Sequence, residues 1–247
     1  MGEFEGQVAL ITGAGSGVGA AIALALSAAK AEIRLVGKTR DSLQDIAQRA
    51  QKFGGKAEYL VTDLGNECEL SALTDRLARD LARLDILVQN AAVHIASPIA
   101  QASMADLDRH YRVNLRAPYA LTRALLPLLE ASQGQVVFVN SSSAIGAKPS
   151  TSQYDATKHA LRAFADSLRG EVNAQGIRVL SLYLGRTASK LQRQIHKSEN
   201  KPYYPERLLQ PEDVASVVLN ALSLSRTAEV TDIHIRPMIA PEGAAFI

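Results

Sequence analysis

Short apolar runs alternate with longer segments of helical spacing along the 247 residues, and this alternation restricts the fold more than any other feature. The short runs are Val8–Thr12, Ile33–Val36, Ala57–Val61, Ile86–Gln89, Val136–Asn140, Val179–Tyr183 and Ile233–Ile235. They are apolar almost throughout, which suits parallel strands covered on both faces. Between them, Leu43, Ile46, Ala47 and Ala50 follow the i, i+3, i+4, i+7 template, and Leu70, Leu73, Leu77, Leu81 and Leu84 form a second stripe. Thr39 or Asp41 before the first stripe, and Pro211 with Glu212 and Asp213 near the last, read as helix starts. Strand, helix, strand with right-handed crossovers predicts an α/β fold: a Rossmann-type, doubly wound parallel sheet of about seven strands with helices on both faces.

Composition removes other classes. Apolar residues at 47% and charged residues at 21% exclude a disordered chain, and the single cysteine, Cys68, excludes a disulfide scaffold. There is no run of ~18 apolar residues, so no membrane span is expected. The start, Met1 to Gly6, carries Glu3 and Glu5 and lacks the basic beginning of a secretory signal, so a cytoplasmic location is expected. The net charge of +2 does not call for a nucleic-acid surface. The five histidines show no ligand spacing, so no metal is expected.

Residues Thr12 to Gly19 read Thr-Gly-Ala-Gly-Ser-Gly-Val-Gly, between the first strand and the helical run Ala20–Ala29. A helix amino terminus offers free N–H groups, and a pyrophosphate can approach them where no Cβ intervenes. Gly13, Gly17 and Gly19 carry the spacing, with Gly15, Ser16 and Val18 between them. The second strand ends Val36-Gly37-Lys38-Thr39-Arg40. Gly37 stands where an acidic residue would favour NAD, and Lys38 can pair with a 2′-phosphate, so NADP(H) is preferred over NAD(H).

Tyr154 and Lys158 stand four apart in a helical stretch, Ser152 to Val172, and so share a face. An adjacent ammonium favours the phenolate and lowers the tyrosine pKa, giving a proton donor to a carbonyl or acceptor from an alcohol. Upstream, the strand ending at Asn140 runs into Ser141-Ser142-Ser143, where ligands meet open sheets. The plainer readings are a snorkelling lysine beside a half-buried tyrosine, and serines serving a turn.

Taken in order, these motifs make the chain resemble the short-chain dehydrogenase/reductase family, nearly throughout and up to about Pro237. The resemblance implies that Tyr154 is the general acid/base and that Ser141, thirteen residues before it, polarises the substrate oxygen. It implies that Lys158 tunes the tyrosine and binds the nicotinamide ribose, and that Asn114 holds a water in a relay to Lys158. It matches Asp63 and Leu64 to the adenine site, Asn90 and Ala91 to the sheet-supporting motif beside the adenosine ribose, and Gly185 and Thr187 to the nicotinamide amide. Gln89, Ala92 and Leu184 depart from the family pattern, and so does the last strand, which lacks a following Asp-Gly-Gly.

The implied activity is an NADP(H)-preferring oxidoreductase interconverting a small-molecule carbonyl and alcohol. Two other readings remain: a cofactor-binding scaffold or redox sensor with little turnover, and a dehydratase or epimerase on the same fold. Residues 1–247 are expected to form a single domain, with 185–207 a lid inside it. A homodimer or homotetramer is implied, paired through helices at about Met104–Glu130 and Ser152–Val172. The lid carries six basic residues against two acidic, which is either a solvated surface or an attraction for an anionic substrate. His94 either lines the substrate pocket or is a solvated loop residue.

Overall fold

The computed structural model describes residues 2–239. Among them, β1 (Val8–Thr12), β2 (Glu32–Gly37), β3 (Ala57–Val61), β4 (Ile86–Gln89), β5 (Gln135–Ser141), β6 (Arg178–Leu184) and β7 (Asp232–Ile235) form one sheet in the order β3-β2-β1-β4-β5-β6-β7. Every pairing is parallel. β1 sits inside the sheet: Ala9 is opposite Ile33 on one side and Ile86 on the other. Between β3 and β4 the chain crosses from one half of the sheet to the other. Val8 N–H fixes that crossing by donating to Asp85 Oδ2 at 2.9 Å, across 77 residues of chain. Asp85 is buried and is also held by Arg83.

Unbroken apolar strands are explained by two cores. On one face Ile11, Ile33 and Leu35 pack with Ile22 and Leu26 of α1 (Gly17–Ala28) and with Val214 and Val218 of α8 (Pro211–Leu222). On the other, Leu10, Leu87 and Phe138 pack with α3 (Glu67–Asp80), α5 (Ala117–Ser132) and α6 (Ser152–Val172). Adjacent residues of one strand, Leu10 and Ile11, thus serve opposite cores. The two edge strands are the exceptions: Glu58 and Val61 of β3 and Asp232 and His234 of β7 are exposed.

Helix ends depart from the sequence reading in physically simple ways. The Leu70–Leu77 stripe is buried on α3, but the chain turns extended at Leu81, so Leu81 and Leu84 reach the core from beyond the helix. Thr39 precedes α2 (Arg40–Gln51), yet its hydroxyl makes no capping bond. Asn66 caps α3, its Oδ1 accepting from Cys68 N and Glu69 N at 3.0 and 3.3 Å. The expected helix Met104–Glu130 is broken into α4 (Met104–Tyr111), a π-helical turn Arg112–Arg116, and α5. The stretch 185–207, expected to be a lid, contains α7 (Lys190–Ser198), whose N-cap Ser189 accepts from Gln192 N at 3.0 Å.

Candidate active site

The carboxyl ends of β1, β4, β5 and β6 open into a cavity of about 390 Å³. Its wall includes Gly13, Ser16, Gly17 and Val18, then Asn90, Ala91 and His94, then Ser141, Tyr154 and Lys158, and finally Gly185, Arg186 and Thr187. These come from segments up to the full width of the sequence motifs, and parallel strands bring their ends to one edge of the sheet. Of the other expected residues, Gly15 lines a neighbouring depression with Ser16 and Gly17. Gly19, Lys38, Asp63, Leu64 and Asn114 lie outside the cavity wall.

Asn90 organises the glycine turn. Its Nδ2 donates to the carbonyls of Thr12 and Gly13 at 3.0 and 3.1 Å, while its own N–H donates to Thr12 Oγ1 at 2.9 Å. This clamp sets the demand for glycine. Gly13 has φ +63°, and a Cβ there would stand 2.8 Å from Asn90 Nδ2; at Gly19 the same distance would be 2.5 Å. The sequence reading assigned these glycines to pyrophosphate approach; Gly13 and Gly19 are also required by the protein's own packing. Ser16 begins α1 without a side-chain cap, and the first turn holds no acidic residue, so its N–H groups and positive dipole end are uncompensated.

At the far end, Lys38 Nζ lies 2.8 Å from Asp63 Oδ2. The two residues matched to different parts of a cofactor are paired with each other. Partial burial pushes the Asp63 carboxyl up, but Lys38 and the Gly65 N–H outweigh it and hold the pKa below its ordinary value. Leu64 belongs to the core, so its side chain is not offered to a ligand.

Tyr154 and Lys158 lie on one face of α6, 9% and 2% exposed. Lys158 Nζ donates to Val139 O at 3.2 Å and stands 5.8 Å from the Tyr154 ring centroid. The expected lowering of the tyrosine pKa is reversed. Burial pushes Tyr154 up to about 12, with the Ser141 hydroxyl opposing and Asp155 adding to the rise. Burial alone brings Lys158 down to about 8. The reason is that sequence spacing gives proximity but not burial, and here desolvation exceeds the lowering by the Ser141 hydroxyl. Ser141 ends β5, and its Oγ accepts from Ser143 N at 3.1 Å.

His94 is in the cavity wall, its ring centroid 4.6 Å from that of Tyr154, and burial lowers its pKa. His110 also meets Tyr154 edge-on, at 6.2 Å. Ile95 N–H donates to His110 Nε2 and the ring's Nδ1 faces Asp106 O at 2.7 Å, so Nδ1 carries the proton and the ring is neutral. Asn114 is fully buried in the π-helical turn. Its Nδ2 donates to Val93 O and Thr157 Oγ1 at 3.0 and 3.2 Å, and its Oδ1 accepts from Val93 N at 2.8 Å. The Asn114 side chain thus ties the His94 loop to α6.

A family model, short chain dehydrogenase, matches residues 7–200. The chain belongs to the short-chain dehydrogenase/reductase family. It is an oxidoreductase of that family by this match and by its relatives. An oxidoreductase of Staphylococcus aureus (strain N315) is 30% identical over 233 residues, covering 94% of this chain and 97% of the relative. A short-chain type dehydrogenase/reductase of Sinorhizobium fredii is 31% identical over 236 residues, covering 94% and 91%. Among solved structures, a metagenomic short-chain oxidoreductase in complex with NADP has a TM-score of 0.82 at 27% identity, covering 96% of this chain and 100% of that one. An alcohol dehydrogenase of Thermococcus sibiricus, complexed with 5-hydroxy-NADP, shares the fold with a TM-score of 0.85 at 24% identity.

In this short-chain dehydrogenase/reductase, sequence reasoning missed two features of the wall. One is α7, which buries polar Gln192 and His196, joined at 3.1 Å, and turns Leu191 and Ile195 to the cavity. The signal was Ser189 followed by Leu191 and Ile195 four apart. The other is the ion pair of Arg186 with Glu199, both in the wall, which had no local signal.

Proposed function

We propose that this protein interconverts a carbonyl and an alcohol by hydride transfer with a nicotinamide dinucleotide, preferring NADP(H). The observation that carries the reading is the convergence of Ser141, Tyr154 and Lys158 with the uncompensated start of α1 on one cavity. The residues fit such a cofactor. The N–H groups at Ser16, Gly17 and Val18 would take the diphosphate. Lys158, buried with one carbonyl partner given above, has donors left for ribose hydroxyls. Lys38 would take the 2′-phosphate in exchange for part of its bond to Asp63. The NADP-bound metagenomic relative supports the preference. When bound, the nicotinamide supplies or accepts the hydride at the substrate carbon.

The protein's own groups handle the substrate oxygen. Ser141 Oγ donates a hydrogen bond to it as negative charge develops. Tyr154, a neutral phenol with a pKa of about 12, gives its Oη proton to that oxygen in the reductive direction. Lys158, with a pKa of about 8, is placed to return a proton near neutrality. His94 packs its ring against that of Tyr154 at 4.6 Å. A panel of carbonyl compounds with NADPH deuterated at C4 tests the reading. Deuterium on the product carbinol carbon is expected. Product without label would mean a dehydratase or epimerase, and cofactor binding with no product from the whole panel would mean a scaffold or sensor.

A further inference from the structure

Arg186 leaves the end of β6 directly after Gly185, and of the six basic residues in 185–207 it is the one in the wall shared with Tyr154 and Ser141. Its ion pair has an unusual form. A single nitrogen, Nη2, donates to both Glu199 oxygens, at 2.8 and 2.7 Å. A guanidinium and a carboxylate usually meet fork to fork through two nitrogens. Here the end-on contact leaves Nη1 buried with no hydrogen-bond partner among the described residues. A buried charged donor without an acceptor is costly, and a turn of the guanidinium that brings Nη1 to an incoming anionic oxygen in the cavity would satisfy it. Glu199 does not cancel the positive charge, because Lys201 lies 3.2 Å from the same carboxylate and leaves two cations against one anion. Leu191 and Ile195 add an apolar surface to the same wall.

We propose that Arg186 is a specificity-determining anchor for a carboxylate on the substrate, so that the cavity takes carbonyl compounds with an apolar body and an acidic end. This rests on the carbonyl–alcohol reading above and names its substrate class. The pair shares its wall with Tyr154, and the Glu199 charge reaches His94, whose ring lies tilted against that of Tyr154 at 4.6 Å. The diphosphate has its own donors at the start of α1.

The test separates binding from turnover. The NADPH-loaded protein is titrated with a series of oxo acids and their primary amides, and affinities are read by calorimetry. The wild type should bind each acid about tenfold or more tightly than its amide, the value of a charge-assisted hydrogen bond. Arg186→Gln should erase that preference and leave NADPH affinity unchanged. Glu199→Gln should move the preference the other way, by freeing Arg186. Equal binding of acid and amide by the wild type overturns the proposal, and so does a preference that survives in Arg186→Gln. A loss of NADPH affinity in that variant equal to its loss for the acid also overturns it, since Arg186 would then hold a cofactor phosphate. Turnover in the same samples bears on the hydride reading alone: acids bound tightly but never reduced would sink that reading and leave the anchor standing.

Discussion

Lys38 and Lys158 each sit beside an ionisable oxygen at opposite ends of the expected cofactor path, in opposite surroundings. Lys38 is half exposed and its ammonium meets Asp63 at 2.8 Å. Lys158 is 2% exposed, and its ammonium reaches a backbone carbonyl while the Tyr154 ring stays 5.8 Å away. At the first end charge is paired and solvated, so it can change partner at little cost. At the second, burial shifts both titrating groups towards their neutral forms. Recognition can be built from exposed pairs; proton transfer needs groups whose protonation burial has tuned.

The largest break in this contrast would come from Tyr154→Phe. It keeps the ring against His94 and removes the transferable proton, so kcat should fall about 10³-fold with cofactor affinity intact. A variant that retains its turnover would make the buried end no more catalytic than the exposed one. Next is Lys158→Met in the cofactor-free protein. The folded lysine has a pKa of about 8 against 10.5 in the unfolded chain. Between those values the unfolded chain binds more protons, so wild-type stability rises with pH there. The variant's Tm advantage should therefore be greatest below about pH 8 and shrink as pH climbs to 10.5. A constant gap across that window would mean that Lys158 carries no burial penalty on its charge.

Smaller effects belong to the exposed end. Lys38→Ala should weaken NADPH about tenfold and leave NADH within twofold, read by fluorescence titration. If both cofactors weaken alike, Lys38 does not read the 2′-phosphate. The same variant should lose less than about 1 kcal/mol of stability in urea, as exposed ion pairs do. A larger loss would mark the Lys38–Asp63 pair as structural.

Much of this was legible before the fold was seen, because parallel strands write themselves as unbroken apolar runs. Leu10 and Ile11 read as strand because both neighbours had to be buried. Tyr154 and Lys158 read as a pair because helical spacing is local. The pairing of Lys38 with Asp63 was not legible, since it depends on register: Gly37 is opposite Val61, which puts the residues beyond them side by side. The reversed tyrosine shift was hidden for a related reason. Its cause is the mass of protein around α6, which no i, i+4 relation contains. Arg186 could not be chosen from six cations, because the choice lies in which one the end of β6 delivers to the cavity. The helix α7 was obscured because the residues it buries, Gln192 and His196, are polar.

The interior place of β1 has a consequence for how the chain is made. Its two edges are completed at very different times in synthesis. β2 emerges soon after it, but the partner on the other side, β4, and the Asp85 that takes the Val8 N–H follow 77 residues behind. A nascent chain that has released only β1 to β3 therefore carries an open, apolar edge through Leu10 and Ile11, and no later strand can dock until β4 closes it. Such an edge is a template for pairing with another chain. The passage of β4 out of the ribosome closes that edge and moves the open one to β4 itself, where it stays until β5 follows.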